Sequence, residues 1–195
     1  YNKSNPKIAY SSVLFGKNPE QTYDIAKQQK NNNFNAVKFG WENFGINIKN
    51  DEEHLIAARD ALGKDINLMI DVGAVWGTDV DEANKRSKIL KEANIIWLEE
   101  PFFSDAFFEY NQLGKLSNLP LAGGESCHSV DSAKNMIRYG NVNFIQIDAG
   151  SLIGHFGKQC KVAAEIMVRR NMVHIIGSDA HGRGKRNFCL RQAID

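Results

Sequence analysis

The chain has 195 residues and a formal net charge of +1; 43% of it is hydrophobic and 24% charged. That is enough for one core of ordinary size, whereas two domains would each be small. Basic and acidic residues are interspersed, so no global field attracts nucleic acid or an anionic membrane, and no run approaches the roughly 20 apolar residues of a membrane span.

The N-terminal stretch YNKSNPKIAYSSVLFG lacks the basic start, long apolar stretch and small-residue cleavage site of a signal peptide. It has no initiating Met and reads like the middle of something longer. From there the chain repeats one unit: short apolar run, polar loop, amphipathic helix, loop. The runs are IAYSSVLF (8–15), NAVKFGW (35–41), INLMID (66–71), IIWLEE (95–100), LPLAGGE (119–125), NFIQID (143–148) and VHIIGSD (173–179). Helical segments lie between them. PEQTYDIAKQQK opens with Pro in its first turn, and DEEHLIAARDALG carries acids at its start and Gly at its stop. DEANKRSKILKEAN, DAFFEYNQLGKL, SVDSAKNMIRYG and GKQCKVAAEIMVRRN follow. Near-continuously apolar strands alternating with helices specify a parallel sheet buried on both faces. Seven such units favour a TIM-type (β/α) barrel. A complete eight-stranded barrel usually takes about 250 residues, so this one is lean or incomplete. A doubly wound open sheet is the runner-up, but neither GxGxxG nor GxxxxGK[ST] is present to support it.

In a parallel barrel the active-site groups hang from the C-terminal ends of the strands. The third run closes with Asp71, the fourth with Glu99-Glu100-Pro101, the fifth with Gly123-Gly124-Glu125 and the sixth with Asp148. For any one of them a loop or helix-cap role is the plainer reading. Four in succession at one mouth would repel one another and take up protons unless a cation joined them. Hard carboxylate oxygens select Mg²⁺ or Ca²⁺, and an open octahedral Mg²⁺ site leaves room for substrate oxygens. Lys38, inside VKFGW at the end of the second run, either snorkels to the rim or reaches into the mouth. There it would polarise a substrate carboxylate or stabilise an enolate.

With AVKFGW, LMIDVG, IIWLEEP, PLAGGES and NFIQID in this order, residues 7–148 resemble the barrel domain of the enolase superfamily, in its mandelate racemase/muconate lactonizing branch. The resemblance implies a (β/α)₇β barrel and Mg²⁺ held by Asp71, Glu99 and Glu125. It implies chemistry that begins by removing the proton α to a carboxylate. The family often has a second lysine two residues after the first; here that position is Gly40. Asp148 fits an Asp that supports a seventh-strand His base, but the His position falls near Gly177-Ser178, and His181 lies a few residues beyond. The family's capping domain would precede Tyr1. Residues 149–188 instead resemble the end of PHP-type metal-dependent phosphatases that act on capsule-regulating tyrosine kinases. That likeness would make Asp179 and His181 metal ligands, although the His-x-His those enzymes require is absent from the sequence. On this reading the chain is one barrel domain, with 149–195 a tail that completes it; a natural mosaic, an engineered chimera and an assembly artefact all fit.

The expected activity is a Mg²⁺-dependent lyase or isomerase of sugar acids or hydroxy acids, dehydration foremost, with Lys38, Asp148 and His181 as catalytic residues. The alternatives are a PHP-type phosphoesterase and a catalytically incomplete barrel. The expected partner is a small carboxylate substrate, with no nucleic acid and no membrane; a homo-oligomer is compatible with the sequence. Cys127, Cys160 and Cys189 are far apart, with neither metal-ligand spacing nor a disulfide framework, so a reducing cytoplasm is the expected compartment. His54 and His128 are expected to be solvated and His155 to lie at a helix start. Trp41 and Trp76 are expected to pack just past strand ends, and Arg183, Lys185 and Arg186 to form a solvated basic loop.

Overall fold

The computed structural model describes residues 9–125, 127, 129–178, 189, 192 and 193. His128, Asp179, His181, Arg183, Lys185 and Arg186 lie outside them. Seven parallel strands stand in sequence order: β1 (Ser11–Leu14), β2 (Ala36–Gly40), β3 (Asn67–Asp71), β4 (Ile95–Glu99), β5 (Leu121–Gly123), β6 (Phe144–Asp148) and β7 (Ile175–Gly177). The sheet curls into a partial barrel with helices outside it. These are α1 (Pro19–Asn31), α2 (Ile48–Leu62), α3 (Val80–Asn84), α4 (Ser87–Glu92), α5 (Phe107–Ser117), α6 (Val130–Tyr139), α7 (Ala149–Ile153) and α8 (Lys158–Arg169).

The helix starts follow local chemistry. Asn18 caps α1 by accepting from the Gln21 N–H, with Pro19 next, and Ser129 caps α6 by accepting from the Ser132 N–H. Such caps satisfy amides that have no partner inside the helix. Two expectations about where helices begin and end need correction. DEANKRSKILKEAN is not one helix but two, α3 and α4, broken at Lys85-Arg86. GHFGKQC is preceded by the short α7, so His155 sits in the exposed link between α7 and α8 and not at a helix start.

Strand alternation sorts side chains into two cores. Val37, Phe39, Leu68, Ile70, Leu98, Leu121, Ile145 and Ile147 face the helices. Ala36, Met69, Trp97 and Ala122 form a second cluster within the barrel, joined by Tyr10, Ile96, Phe144 and Ile175. In β4 the alternation is interrupted. Leu68 pairs with Ile95, but Ile70 pairs with Leu98, so β4 carries one extra residue there. The bulge lets Ile95 and Leu98 both join the helix-facing core, while Trp97 packs inward.

The loops at the C-terminal mouth are held by a buried ion pair. Arg86, wholly buried, donates from Nε to Asp51 Oδ2 at 2.7 Å, from Nη2 to the Gly45 carbonyl at 2.7 Å and from Nη1 to Glu82 Oε1 at 2.8 Å. Asp51 Oδ1 accepts from the Gly45 N–H at 2.9 Å, and the Trp76 indole N–H donates to the Gly45 carbonyl at 2.9 Å. The loop after β2 is thereby tied to α2 and to the loop after β3. Trp76 is buried in this clip, under the Arg86 guanidinium. His54 is not solvated: it is buried, its Nδ1 2.7 Å from Thr22 Oγ1. Burial holds the His54 pKa below its ordinary value.

Replacing Arg86 by Met removes one partner and leaves Asp51 buried without its counter-charge. The expected cost is about 3–5 kcal/mol, read as a lower urea midpoint at unchanged slope. His54 adds a pH effect. An imidazole that takes up its proton less readily in the fold than in the unfolded chain favours unfolding as pH falls below about 6.5. The fall in melting temperature from pH 7 to pH 5 is therefore expected to be smaller in His54→Gln than in the unaltered chain.

Candidate active site

Inside the barrel, side chains from alternate strands share a level, as parallel barrels require. Lys38 on β2, Glu99 on β4 and Gln146 on β6 meet at one such level. The Lys38 Nζ donates to Glu99 Oε1 at 2.7 Å and lies 3.1 Å from Asp71 Oδ2. It also stands 5.8 Å from the centroid of the Tyr10 ring, a cation–π approach. The strand-end acids of β3 and β4, which are register partners, are thus joined by one ammonium. Asp71 is further held by the Gly73 N–H, which donates to Oδ1 at 3.1 Å. Burial alone would lower the Lys38 pKa, but the Glu99 and Asp71 carboxylates outweigh it and hold the pKa above its ordinary value, so Lys38 stays charged.

Glu99 is 1% exposed and is held by three donors. Besides Lys38, the Trp97 indole N–H donates to Oε2 at 2.9 Å and Gln146 Nε2 donates to Oε1 at 3.2 Å. Tyr10 O–H donates to Gln146 Oε1 at 2.7 Å. Sequence reasoning missed Tyr10, Trp97 and Gln146. The signal was there for two of them: Trp97 and Gln146 each stand two residues before a strand-end acid, and hence on its face of the sheet.

The other expected residues lie around this group. Glu125 is exposed, two residues past the end of β5. Its carboxyl is pushed up to about 7, first by the protein crowding it and then by the charges of Glu100 and Asp71, against the pull of Lys38. Asp148, half-buried at the end of β6, accepts from the Gly150 N–H and caps α7. Trp41, just past β2, is exposed at the rim. Gly40 occupies the place of the second lysine, and the backbone accounts for it. A Cβ there would lie 2.6 Å from the Asp71 carbonyl oxygen, so β2 and β3 approach too closely for any side chain.

Among the described residues, no three His, Cys, Asp or Glu side chains are grouped so as to hold a metal ion. Asp71 and Glu99 do direct carboxylate oxygens at a single cation, the Lys38 ammonium. Two hard oxygen donors converging on a stand-in cation are the donor chemistry that suits Mg²⁺.

Known proteins share this arrangement of strands. Residues 21–180 match the family described as enolase C-terminal domain-like. The chain belongs to the enolase superfamily. An L-talarate/galactarate dehydratase of Salmonella typhimurium is 31% identical over 103 residues, covering 53% of this chain and 25% of that protein. The crystal structure of a predicted mandelate racemase from Rhodobacter sphaeroides superposes with a TM-score of 0.77 at 36% identity, over 91% of this chain and 45% of that one. A D-glucarate dehydratase from Agrobacterium tumefaciens, crystallised with magnesium, shares the fold at a TM-score of 0.68 and 19% identity, over 95% of this chain and 50% of its own. A different kind of relative matches locally: the tyrosine-protein phosphatase YwqE of Bacillus subtilis, 45% identical over 49 residues, 25% of this chain and 19% of that protein. This enolase-superfamily chain therefore spans only part of each. Among its described residues no helix is long and apolar enough to cross a membrane.

A raised carboxyl pKa works against the fold as pH rises. Unfolded Glu125 ionises near pH 4.5, whereas the folded carboxyl resists until about 7, so folding is disfavoured progressively between those values and the cost persists above them. In chelator, Glu125→Gln is expected to melt higher than the unaltered chain at pH 8, by about 1–3 °C, and at the same temperature at pH 4. Thermal scans at the two pH values check it.

Proposed function

We propose that this chain carries a Mg²⁺-dependent site that abstracts the proton α to a carboxylate, with sugar-acid dehydration as the reaction class. The observation that carries the reading is the Lys38 ammonium seated between Asp71 and Glu99 at adjacent strand ends. Asp71, Glu99 and Glu125 are the proposed metal ligands. A bound Mg²⁺ would supply Lewis-acid stabilisation of the charge that builds on the substrate as its α-proton leaves. The sugar-acid dehydratase among the relatives and the magnesium in the glucarate dehydratase crystal support this choice of substrate class and ion.

The chain's own groups take the remaining roles. Lys38 supplies a second positive charge to the substrate carboxylate. Asp148 and His181 are proposed for the proton transfer, with Asp148 supporting the imidazole. With Gly40 where a lysine base would stand, only one face of the α-carbon has a base. That suits dehydration, where one group removes the α-proton and then helps the β-hydroxyl depart, and it does not suit racemisation. Residues 149–195 are proposed to complete the same barrel. A small acid sugar as the substrate, a cytoplasmic location and a homo-oligomeric state complete the reading.

A second reading, a metal-dependent phosphoesterase, is favoured by the local match to YwqE. Hydrolysis of a phosphotyrosine peptide in Mn²⁺, retained in Glu99→Gln and lost in His181→Asn, would establish it over the first.

Two measurements test the main proposal. In titration calorimetry the chain is expected to take up one Mg²⁺, Glu99→Gln to bind it at least about 10-fold more weakly, and Lys38→Met to bind it more tightly, because a competing positive charge has gone. Absence of Mg²⁺ uptake would overturn the metal assignment. For chemistry, α-proton exchange into D₂O is followed over a panel of sugar acids. Slow exchange at one face is expected, reduced about 10²–10⁴-fold in His181→Asn and slowed in Lys38→Met despite its tighter metal. Rapid exchange that scrambles the α-carbon would overturn the single-base assignment.

A further inference from the structure

Glu99 is held from within the barrel rather than from its mouth. A carboxylate offers about four lone-pair sites, and Lys38, Gln146 and Trp97 fill three of them at 2.7, 3.2 and 2.9 Å. The lysine contributes charge and is attached through a long flexible stem. Gln146 contributes none, yet it is itself buried and fixed at its far end. Tyr10 O–H donates to Gln146 Oε1 at 2.7 Å. The two ends of a primary amide are alike in shape and opposite in hydrogen bonding. With the oxygen taken by the Tyr10 hydroxyl, the end that meets Glu99 is the donor. Reversed, the amide oxygen would face a carboxylate oxygen, and two acceptors would be buried against each other.

Tyr10 is anchored too. Its ring stands edge-on to the Trp97 indole at 6.3 Å between centroids, and the Lys38 Nζ lies 5.8 Å from its centre. It therefore stands against all three groups that donate to Glu99. These residues come from β2, β4, β6 and the segment entering β1, so the network spans the barrel and aims one carboxylate.

We infer that Gln146, seated by Tyr10, is a positioning residue for Glu99, fixing the direction in which its carboxylate is presented. The inference rests on the reading of Glu99 as a Mg²⁺ ligand. Outer partners of a metal-ligating group typically account for 10–100-fold in metal affinity, and Gln146 holds this one through a neutral side-chain amide.

The test uses Gln146→Met, which keeps the volume, Tyr10→Phe, which removes only the hydroxyl, and the double variant. Two readouts are taken from the whole chain: Mg²⁺ affinity by calorimetry, and the metal-free NMR resonance of the Trp97 indole N–H, which reports where Glu99 Oε2 lies. Gln146→Met is expected to weaken Mg²⁺ by about 10-fold and Tyr10→Phe by less, with the double variant no weaker than Gln146→Met, since both act through one amide. Tyr10→Phe is expected to shift the Trp97 indole signal although it leaves the aromatic ring in place. A purely structural role predicts lower melting temperatures with unchanged Mg²⁺ affinity and an unmoved indole signal; that result would overturn the inference, as would penalties that add independently. Failure of the unaltered chain to bind Mg²⁺ would remove the metal reading, while the indole signal still decides whether Gln146 and Tyr10 orient Glu99.

Discussion

The barrel is organised around a positive charge placed where two negative ones must be buried. Asp71 and Glu99 close neighbouring strands and are register partners, so the fold forces their carboxylates together. Left alone, such a pair would take up a proton. The Lys38 ammonium, 3.1 Å from Asp71 and 2.7 Å from Glu99, sets a positive charge between them and offsets their repulsion. Much of the interior follows from housing that ammonium. Tyr10 lends it a ring face, and Gln146 and Trp97 satisfy the Glu99 oxygens that the ammonium leaves over. Among the described residues no buried side-chain polar atom lacks a hydrogen-bond partner.

The site is polar only in its upper level. Beneath it Ala36, Met69, Trp97 and Ala122 fill the barrel with apolar volume, so the charged group rests on a floor that excludes water. Low polarity beneath strengthens every interaction above it. The mouth loops are kept from spreading by a separate device on the outside, the Asp51–Arg86 pair with the Gly45 peptide between its members. One ion pair arms the interior and another braces the rim, and they share no residue.

Most of the frame was legible because a strand buried on both faces must be apolar nearly throughout, and each of the seven runs contains an observed strand. Lys38 was legible for the same reason, as a cation inside such a run. The helix break at Lys85-Arg86 was not. DEANKRSKILKEAN has the composition of one helix, and what turns Arg86 inward is Asp51 and the Gly45 carbonyl, 35 and 41 residues away. His54 was misjudged on similar grounds: its partner Thr22 lies on a different helix, 32 residues off. For Asp148 the strand-end position was readable, but its capping bond depends on α7 starting at once, without a loop. The placement of Gly40 against the Asp71 carbonyl is a property of the spacing between β2 and β3, and no local pattern announces it.

The extra residue in β4 bears on which acid of the Glu99-Glu100 pair serves the interior. The two are adjacent and chemically identical, so composition cannot tell them apart. Side chains on a strand change face at every step. Counting regularly from Ile95, whose side chain packs toward the helices, positions 96, 98 and 100 would face inward, and Glu100 would meet Lys38. The bulge shifts the count by one and gives that place to Glu99. The doubled acid therefore makes the strand tolerant of slippage in one sense and vulnerable in another. Loss of the extra residue would restore regular alternation and keep Glu99 opposite Asp71, whereas loss of the bulge at unchanged length would turn in the neighbour, Glu100, rooted one peptide later and without the Trp97 indole two residues behind it.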